Sequence, residues 1–432
     1  MKTSALLIVL LILLLAGGVW IAFALGVVAW AGVAFFSNTR PDINLVTAYW
    51  NTYSSLSLAS LPMFIWMGEI LFRTRLAEQM FAGLAPWLDR LPGRLLHVNV
   101  LSCGIFGAVS GSSSATCATI SKIALPELAK RGYDQRLSIG SLCGAATLGI
   151  LIPPSIAMII YAVAADVSIV RMFLAGIVPG ILILFLFSGY IALWAWRHPE
   201  LMPPPSFNTT FWERVKSTAR LLPVLLLIVA VFLSMMLGVA TANEASAFGV
   251  LGALVIAAVG GNLTWLNLRD SLTGSLRMSA MIMFILGAAS FLTVAMGFTG
   301  IPRALSEWVV SLQLSPYALM AVLTVVYLVL GIALDGVSMI VLTTAVVLPM
   351  VQAAGFDPIW FGIYIIIMIE LAEISPPVGF NLFVLQNMTG KSMMTIAHSA
   401  LPFFFILCLA TVLLIVFPSI ATWLPSAMMG GK

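Results

Sequence analysis

Charged residues are scarce in this chain. Of its 432 residues only 8% are charged, whereas 61% are hydrophobic. Because soluble domains carry about 25% charged residues, this composition excludes a water-soluble globular protein. Apolar runs long enough to cross about 30 Å of hydrocarbon recur from end to end. They predict an all-α polytopic membrane protein whose solvent is the lipid bilayer.

The sequence also lacks the motifs of common catalytic and nucleotide-binding sites. It has no GxSxG, no HExxH and no GxxxxGK[ST], and its four cysteines include no CxxC pair. The three histidines form no cluster. These absences predict neither an enzyme nor a metalloprotein, and nothing indicates a nucleic-acid partner. Without a phosphate-binding loop the chain cannot itself use ATP, so any work that it performs must draw on an ion gradient.

The apolar runs define the predicted membrane segments. Residues 1–36 are too long for a signal peptide, and the Gly17-Gly18 pair predicts two short spans there. Residues 73–94 mix arginines with apolar residues, which predicts an amphipathic interfacial helix. A Pro-rich connector, 197–220, separates two halves. Other apolar runs lie near 56–72, 95–128, 137–165, 172–196, 221–237, 245–261, 278–297, 317–350, 360–383 and 396–417.

Lysine and arginine are distributed unequally between the two predicted sides of the membrane. Fifteen fall on one side and five on the other, and the excess predicts that the first side is cytoplasmic. The smaller group is Lys2, Arg40, Arg171, Arg303 and Lys432.

An internal repeat relates the two halves. A shift of 223 residues superimposes Leu125-Pro126 on Leu348-Pro349 and Pro153-Pro154 on Pro376-Pro377. The loop at Lys130-Arg131 is predicted to be cytoplasmic, while its counterpart 355–358 has no cation and is predicted to face outward. The two copies therefore run in opposite senses, an arrangement found in many secondary transporters.

Each copy contains two interruptions of an apolar run. One is a polar tip, Ser110 to Ser114 in the first copy and Asp335 to Ser338 in the second; the other is the Pro-Pro break. Proline removes a backbone donor, so these breaks free carbonyl groups at membrane depth. Carbonyl and hydroxyl oxygens suit a hard cation such as sodium, while half-helix N-termini attract an anionic substrate. Serine tips and prolines also occur in close helix packing and simple kinks, but their joint recurrence favours a binding site.

Three acidic residues lie within predicted membrane segments. A charge at the bilayer centre costs ~2.5–3.5 kcal/mol on insertion scales. We therefore expect Asp335 to bind a cation or carry a proton, whereas Glu370 and Glu373 fit either a functional or a structural role. Asn381, one turn beyond Pro377, offers a further side-chain carbonyl.

These motifs together resemble the large membrane subunit of the tripartite ATP-independent periplasmic (TRAP) transporters. The resemblance rests on FGAVSGSSSAT from Phe106, ALPEL from Ala124, GILIPPS from Gly149 and SPPVGFNLF from Ser375, and it extends over nearly the whole chain. It implies an elevator-type fold in which two hairpins and two broken helices form a mobile transport domain. It also implies a small four-helix membrane subunit and a periplasmic binding protein as partners, with sodium as the coupling ion.

The family resemblance assigns site residues and segments. Sodium sites are expected between each hairpin tip and its broken helix: Ser110, Gly111, Ser112, Ser113 and Ser114 with Gly149, Ile152 and Pro153, then Asp335, Gly336 and Ser338 with Ser375 and Pro376. Substrate contacts are expected from Ser113, Ser114, Pro154, Ser155, Pro377 and Asn381. The expected transport-domain halves are 95–170 and 316–390, with scaffold segments 1–94 and 171–315 and a C-terminal helix 391–432.

One departure and three alternatives stay open at this point. Many family members have a small residue where Glu373 stands and Asn where Met368 stands, so the ion chosen by the second site is undetermined. A self-sufficient sodium- or proton-coupled anion symporter is the alternative transporter. An intramembrane enzyme would need Asp335 to face Glu370 or Glu373, and a structural scaffold would not need paired broken helices.

Overall fold

The computed structural model describes residues 2–204, 210–219, 221–300, 307, 315–376 and 379–430. Within these ranges the chain is helical and contains no strand, which confirms the predicted all-α class. The first-half helices are α1 (Lys2–Ala16), α2 (Ile21–Phe36), α3 (Pro41–Tyr53), α4 (Ser60–Phe72), α5 (Leu76–Leu88), α6 (Leu95–Ser110), α7 (Ser113–Lys130), α8 (Gln135–Leu151), α9 (Ile156–Ala164) and α10 (Ile169–Arg197). The others are α11 (Phe211–Thr218), α12 (Leu222–Met236), α13 (Ala242–Val259), α14 (Trp265–Thr299), α15 (Pro316–Ala333), α16 (Gly336–Ala353), α17 (Pro358–Glu373), α18 (Phe380–Thr389), α19 (Met393–Val416) and α20 (Ser419–Met429).

The helices have the length and surface of a multi-pass membrane protein. In the described ranges, five are long and apolar enough to cross a membrane, and up to eight spans result if each bent pair counts as one. Outward-facing side chains on these helices are large and apolar, such as Phe185, Val329 and Phe405, each more than 60% exposed. Exposed apolar area of this extent requires a lipid environment.

Two helix pairs fold back on themselves as hairpins. In hairpin 2 (α15 and α16), the Tyr327 hydroxyl donates to Thr343 Oγ1 over 2.7 Å. Sixteen residues of straight helix would separate them by about 24 Å, so the chain must reverse between them. In hairpin 1 (α6 and α7), the backbone N–H of Leu95 donates to the Tyr133 hydroxyl over 3.3 Å, which closes the base. Gly111 makes the reversal at its tip with φ +60°, a left-handed conformation that favours glycine.

Each hairpin is followed by a broken helix. Broken helix 1 (α8 and α9) bends by 44° at Pro153-Pro154. Broken helix 2 (α17 and α18) is interrupted between Glu373 and Phe380. Gly379 approaches the Glu373 carbonyl so closely that a Cβ there would lie 2.6 Å from its oxygen, so this break needs a glycine.

Each repeat packs one arm of its hairpin against the broken helix of the other repeat. The second arm of hairpin 1, α7, packs on α18 of broken helix 2, and the second arm of hairpin 2, α16, packs on α9 of broken helix 1. Equivalent helices also start 223 residues apart, because α7 begins at Ser113 and α16 begins at Gly336. The duplicated sequence therefore forms one interlocked core rather than two separate bundles.

Other helices surround this core. The long α14 packs along α2, α3 and α4, and α13 packs on α4, so these helices form one side wall. The wall contacts the core where α4 meets α6 and α9 and where α14 meets α16. On the far side, α10 and α19 both pack on α8, and α20 packs on α10.

Several element predictions need adjustment. Residues 1–36 form two helices, as expected, with Gly18 at φ +74° between them. The predicted span 278–297 is the inner part of a helix that begins at Trp265, where the Thr264 hydroxyl caps the Asn267 N–H. The first turns of this helix contain Arg269 and Arg277. Because these residues lower the local hydropathy, a prediction based on hydropathy did not include those turns. The helices α3 and α11 were not predicted, and the segment 391–432, expected as one C-terminal helix, contains two, α19 and α20.

The fold predicts that hairpin 1 requires glycine where it crosses broken helix 1. A Cβ on Gly107 would lie 2.2 Å from the Gly149 Cα, a contact with backbone that cannot yield. We expect Gly107→Val to destabilise the protein by about 1–3 kcal/mol through overpacking. The measurement is the melting temperature in detergent, with Gly189→Val as control because nothing lies within 4 Å of a Cβ at Gly189. Equal melting temperatures for the two variants would contradict this packing.

Candidate functional site

The tip of hairpin 1 is a cluster of neutral oxygen atoms. Ser110 Oγ and Thr116 Oγ1 lie 2.8 Å apart, and the Thr116 hydroxyl donates to the Ser112 carbonyl over 2.7 Å. The Ser112 hydroxyl caps α7 by accepting the N–H of Ala115. Ser114 Oγ lies 3.4 Å from Ser112 Oγ. No charged side chain takes part in these contacts.

Broken helix 1 brings its interruption directly against this tip. A Cβ on Gly149 would lie 3.0 Å from Thr116 Oγ1 and 3.2 Å from the Ser112 carbonyl oxygen. Pro153 and Pro154 cannot donate to the carbonyls four residues earlier, at Gly149 and Ile150. Ser155 replaces one lost bond, because its hydroxyl donates to the Ile150 carbonyl over 2.5 Å.

This repair leaves the Gly149 carbonyl without its helical partner. Ile152, which follows α8, has an extended backbone and is partly exposed, whereas Pro153, Pro154 and Ser155 are buried. Ser155 is a predicted substrate contact, but its hydroxyl hydrogen is already used in a hydrogen bond to the backbone.

The tip of hairpin 2 is acidic where that of hairpin 1 is neutral. The Asp335 carboxylate caps α16 by accepting the N–H of Val337, and it also accepts the hydroxyl of Ser338. Gly336 allows the tip to contact α17, since a Cβ there would lie 2.6 Å from the Ile369 side chain. At the break, the Ser375 hydroxyl donates to the Ala372 carbonyl over 3.1 Å. That carbonyl is the one that Pro376 leaves without its helical partner.

The two repeats meet at a fully buried amide. Asn381 Nδ2 donates to Ser113 Oγ over 2.8 Å and to the Cys143 carbonyl over 3.3 Å. Asn381 thereby ties broken helix 2 to both hairpin 1 and broken helix 1. The Ser113 hydroxyl also lies beside the Glu373 carboxyl group.

Two further acidic residues lie in or beside this region. Glu370 is 0% exposed, and neither of its carboxyl oxygens has a hydrogen-bond partner. Glu373 lies one turn further on, and its Oε2 also has none. No ion pair in the described part of the chain involves either residue. Buried acids without partners are costly and mark functional regions of membrane proteins.

The structure brings most of the sequence-predicted residues together. Ser112 contacts the Gly149 break, Gly111 approaches Ile156 just beyond it, Asp335 joins Ser338, and Asn381 joins Ser113. Ser375 and Pro376 lie at the second break, while Pro377 lies outside the described residues.

Sequence reasoning missed two groups at this site. Thr116 extends the serine cluster. Its position one helical turn after Ser112 could have predicted this contact from the sequence. The Cys143 carbonyl had no signal, because only the packing of α8 on broken helix 2 makes it a partner of Asn381.

The acidic cap of hairpin 2 leads to a stability prediction. Asp335→Ala removes the acceptor of the Val337 N–H and of the Ser338 hydroxyl, and losing an N-cap costs about 0.5–2 kcal/mol. Asp335→Asn keeps a capping oxygen, so we expect it to melt nearer the wild type than Asp335→Ala. Thermal unfolding of the three proteins in detergent tests this. An alanine variant as stable as the asparagine variant would show that the cap contributes nothing.

Comparison with known proteins gives relatives along most of the chain. The family model described as "Tripartite ATP-independent periplasmic transporter, DctM component" matches residues 8–420. The C4-dicarboxylate TRAP transporter large permease protein DctM of Pseudomonas aeruginosa is 32% identical over 384 residues, covering 89% of each chain. The ectoine TRAP transporter large permease protein TeaC of Halomonas elongata is 30% identical over 376 residues, covering 85% of this chain and 86% of the relative.

A solved structure shares the fold. The YdaH transporter of Alcanivorax borkumensis superimposes with a TM-score of 0.66 over 96% of this chain and 99% of that one, at 13% sequence identity. The chain therefore belongs to the DctM component family of the tripartite ATP-independent periplasmic transporters, which are membrane permeases and not enzymes.

Proposed function

We propose that this chain is the large transmembrane subunit of a TRAP transporter that takes up an organic anion, expected to be a carboxylate, by coupling to sodium. It works as a multi-pass protein of the bacterial inner membrane. A small four-helix membrane subunit and a periplasmic binding protein complete the system. The observation that carries the proposal is the pair of hairpin tips, each packed beside an interrupted helix in an apolar protein.

Sodium is supported by the chemistry of the tips. The hairpin 1 cluster offers serine and threonine hydroxyls and the Gly149 carbonyl, all neutral oxygens. The hairpin 2 tip adds the Asp335 carboxylate and the Ser338 hydroxyl. Hard monovalent cations bind such oxygen sets, and unwound backbone in transporters commonly supplies them.

An anionic substrate is supported by a half-helix that begins inside the core. The helix α18 begins at Phe380 after Gly379, and no side chain caps its first turn. Unpaired N–H groups at a helix N-terminus attract carboxylates. Asn381 and Ser113, the substrate contacts expected from the family resemblance, lie at this position.

An elevator movement is supported by the way the core meets its wall. The interlocked hairpins and broken helices form one body, because α7 packs on α18 and α16 packs on α9. The wall reaches this body through α4 and α14. Movement of the whole core against the wall would carry both ion sites and the substrate across together.

Uptake into proteoliposomes tests the coupling. With the small subunit and the binding protein present, we expect uptake of radiolabelled carboxylates only under an inward sodium gradient, because the tip sites must be filled. Replacing sodium with potassium should reduce uptake to the level of protein-free liposomes. Uptake driven by a proton gradient without sodium would contradict the proposal. Full uptake without the binding protein would support a self-sufficient symporter instead.

Cross-linking tests the elevator movement. The Phe72 ring on α4 and the Phe106 ring on hairpin 1 have centroids 6.1 Å apart. In a background without native cysteines, mercuric bridging of Phe72→Cys and Phe106→Cys should abolish uptake, because it ties the wall to the core. The control pair, Phe23→Cys with Phe284→Cys, joins two wall helices whose rings are 5.2 Å apart and should leave uptake unchanged. Unchanged uptake in the bridged wall-to-core pair would exclude this movement.

A further inference from the structure

A cavity opens on the wall, where the end of α4 meets the first turns of α14. Its volume is about 290 Å³, and it is lined by Arg73, Arg269, Asp270, Thr273, Gly274 and Arg277. Arg269, Thr273 and Arg277 follow one another at intervals of four residues, so they lie on one face of α14. Arg73 comes from the other helix. The cavity therefore brings together three guanidinium groups from two wall helices.

One of these arginines is already paired. Arg73 Nη2 lies 3.2 Å from Glu69 Oε2, and Arg73 Nη1 lies 3.9 Å from Asp270 Oδ2. The same guanidinium donates to the Asp270 carbonyl over 3.3 Å. Gly274 gives Glu69 the room for this contact, since a Cβ there would lie 2.9 Å from Glu69 Oε2. The two carboxylates at the cavity thus hold Arg73 between α4 and α14.

The other two arginines leave an excess of positive charge. Neither Arg269 nor Arg277 forms an ion pair with any residue that the structure describes. The lining has three arginines and one aspartate, a net charge of +2 (3 − 1), and Glu69 beside it lowers the sum to +1 (3 − 2). Arg73 Nε is also buried without a hydrogen-bond partner. Surplus cations and an unused N–H donor suit a ligand that is both an anion and a hydrogen-bond acceptor.

The depth of the cavity indicates where this anion comes from. Arg73 directly follows the apolar run 56–72, and Arg277 directly precedes the apolar run 278–297. The cavity therefore lies at the edge of the hydrocarbon, where the headgroups of phospholipids are found. Both arginines belong to the side that the distribution of cations predicts to be cytoplasmic.

An apolar surface leads from the cavity into the membrane. On α14, Leu276 is 59% exposed and Met281 is 51% exposed. The acyl chains of a lipid can lie against this surface while its phosphate stays beside the arginines, whereas a free phosphate ion gains nothing from it. Basic pockets between transmembrane helices on the cytoplasmic side bind anionic headgroups in other membrane proteins. The surface and the charge together favour a phospholipid.

We propose that this cavity binds an anionic phospholipid of the cytoplasmic leaflet, with Arg269 and Arg277 as the cationic contacts of its phosphate group. The bound lipid lies against both α4 and α14, so it holds these two wall helices together and fixes them at one depth in the membrane. The site belongs to the wall and not to the core. It therefore depends neither on the coupling ion nor on the substrate.

Native mass spectrometry of the full chain in detergent tests the site with added phosphatidylglycerol. We expect the double variant Arg269→Gln/Arg277→Gln to raise the Kd of the first bound lipid by roughly thirtyfold, the effect of about 2 kcal/mol from two cations. The control, Arg136→Gln/Arg197→Gln, removes two exposed arginines outside the cavity and should keep the wild-type Kd. Equal increases in the two double variants would show that only diffuse charge attracts the lipid, and would overturn the site.

A second variant keeps the test decisive if the double glutamine variant does not fold. Thr273→Trp fills the cavity and retains every charge, so the Kd for phosphatidylglycerol should again rise. An unchanged Kd would overturn the proposal. Wild-type chain should also bind phosphatidylglycerol more tightly than zwitterionic phosphatidylcholine, and equal affinity for the two lipids would contradict recognition of an anion.

Two further measurements separate the lipid from other occupants of the cavity. Glycerol 3-phosphate at a concentration equal to that of the lipid should not displace it, because this anion lacks acyl chains. Displacement would assign the cavity to a soluble phosphate compound. The chain purified together with the small membrane subunit should retain its lipid, and loss of the lipid in that complex would show that protein covers the cavity instead.

Discussion

The structure depends on one constraint, that backbone polar groups inside lipid must find partners within the protein. Regular helices meet it automatically, so every interruption has to be repaired locally. Ser155 repairs the carbonyl that Pro154 leaves unpaired, and Ser375 does the same next to Pro376. At Gly149 the proline removes the helical donor of the carbonyl in the same way. The serines beside the prolines thus give new donors to carbonyls that lost theirs.

The two halves of the molecule share a backbone plan but differ in electrostatics. The hairpin 1 tip is capped by the neutral Ser112, and the hairpin 2 tip by the carboxylate of Asp335. With Glu370 and Glu373 nearby, the second half of the core has three carboxyl groups at its tip and break, where the first half has none at the equivalent positions 112, 147 and 150. The start of α18, in contrast, has no side-chain cap.

Close packing of the core follows from small residues at the crossings. Gly107 faces Gly149, and Gly140 faces the Ser399 backbone, so backbones approach without intervening side chains. The same fold is reached by the YdaH transporter at only 13% identity. Two chains that share a fold at such low sequence identity are consistent with a fold defined by the positions of helix breaks and helix–helix contacts. The chemistry of the oxygens at those breaks is then free to vary between families.

Sequence alone determined the class of protein, the two halves and the positions of all four interruptions. The length of an apolar run and the positions of proline and glycine are local properties of the sequence, so these features can be predicted without a structure. Tertiary structure decided what those interruptions face. The contact of Asn381 with Ser113 and the Cys143 carbonyl joins residues more than 200 positions apart, and no local pattern encodes it. The polar first turns of α14 were likewise hidden, because helix formation outside the hydrocarbon depends on capping rather than on hydropathy.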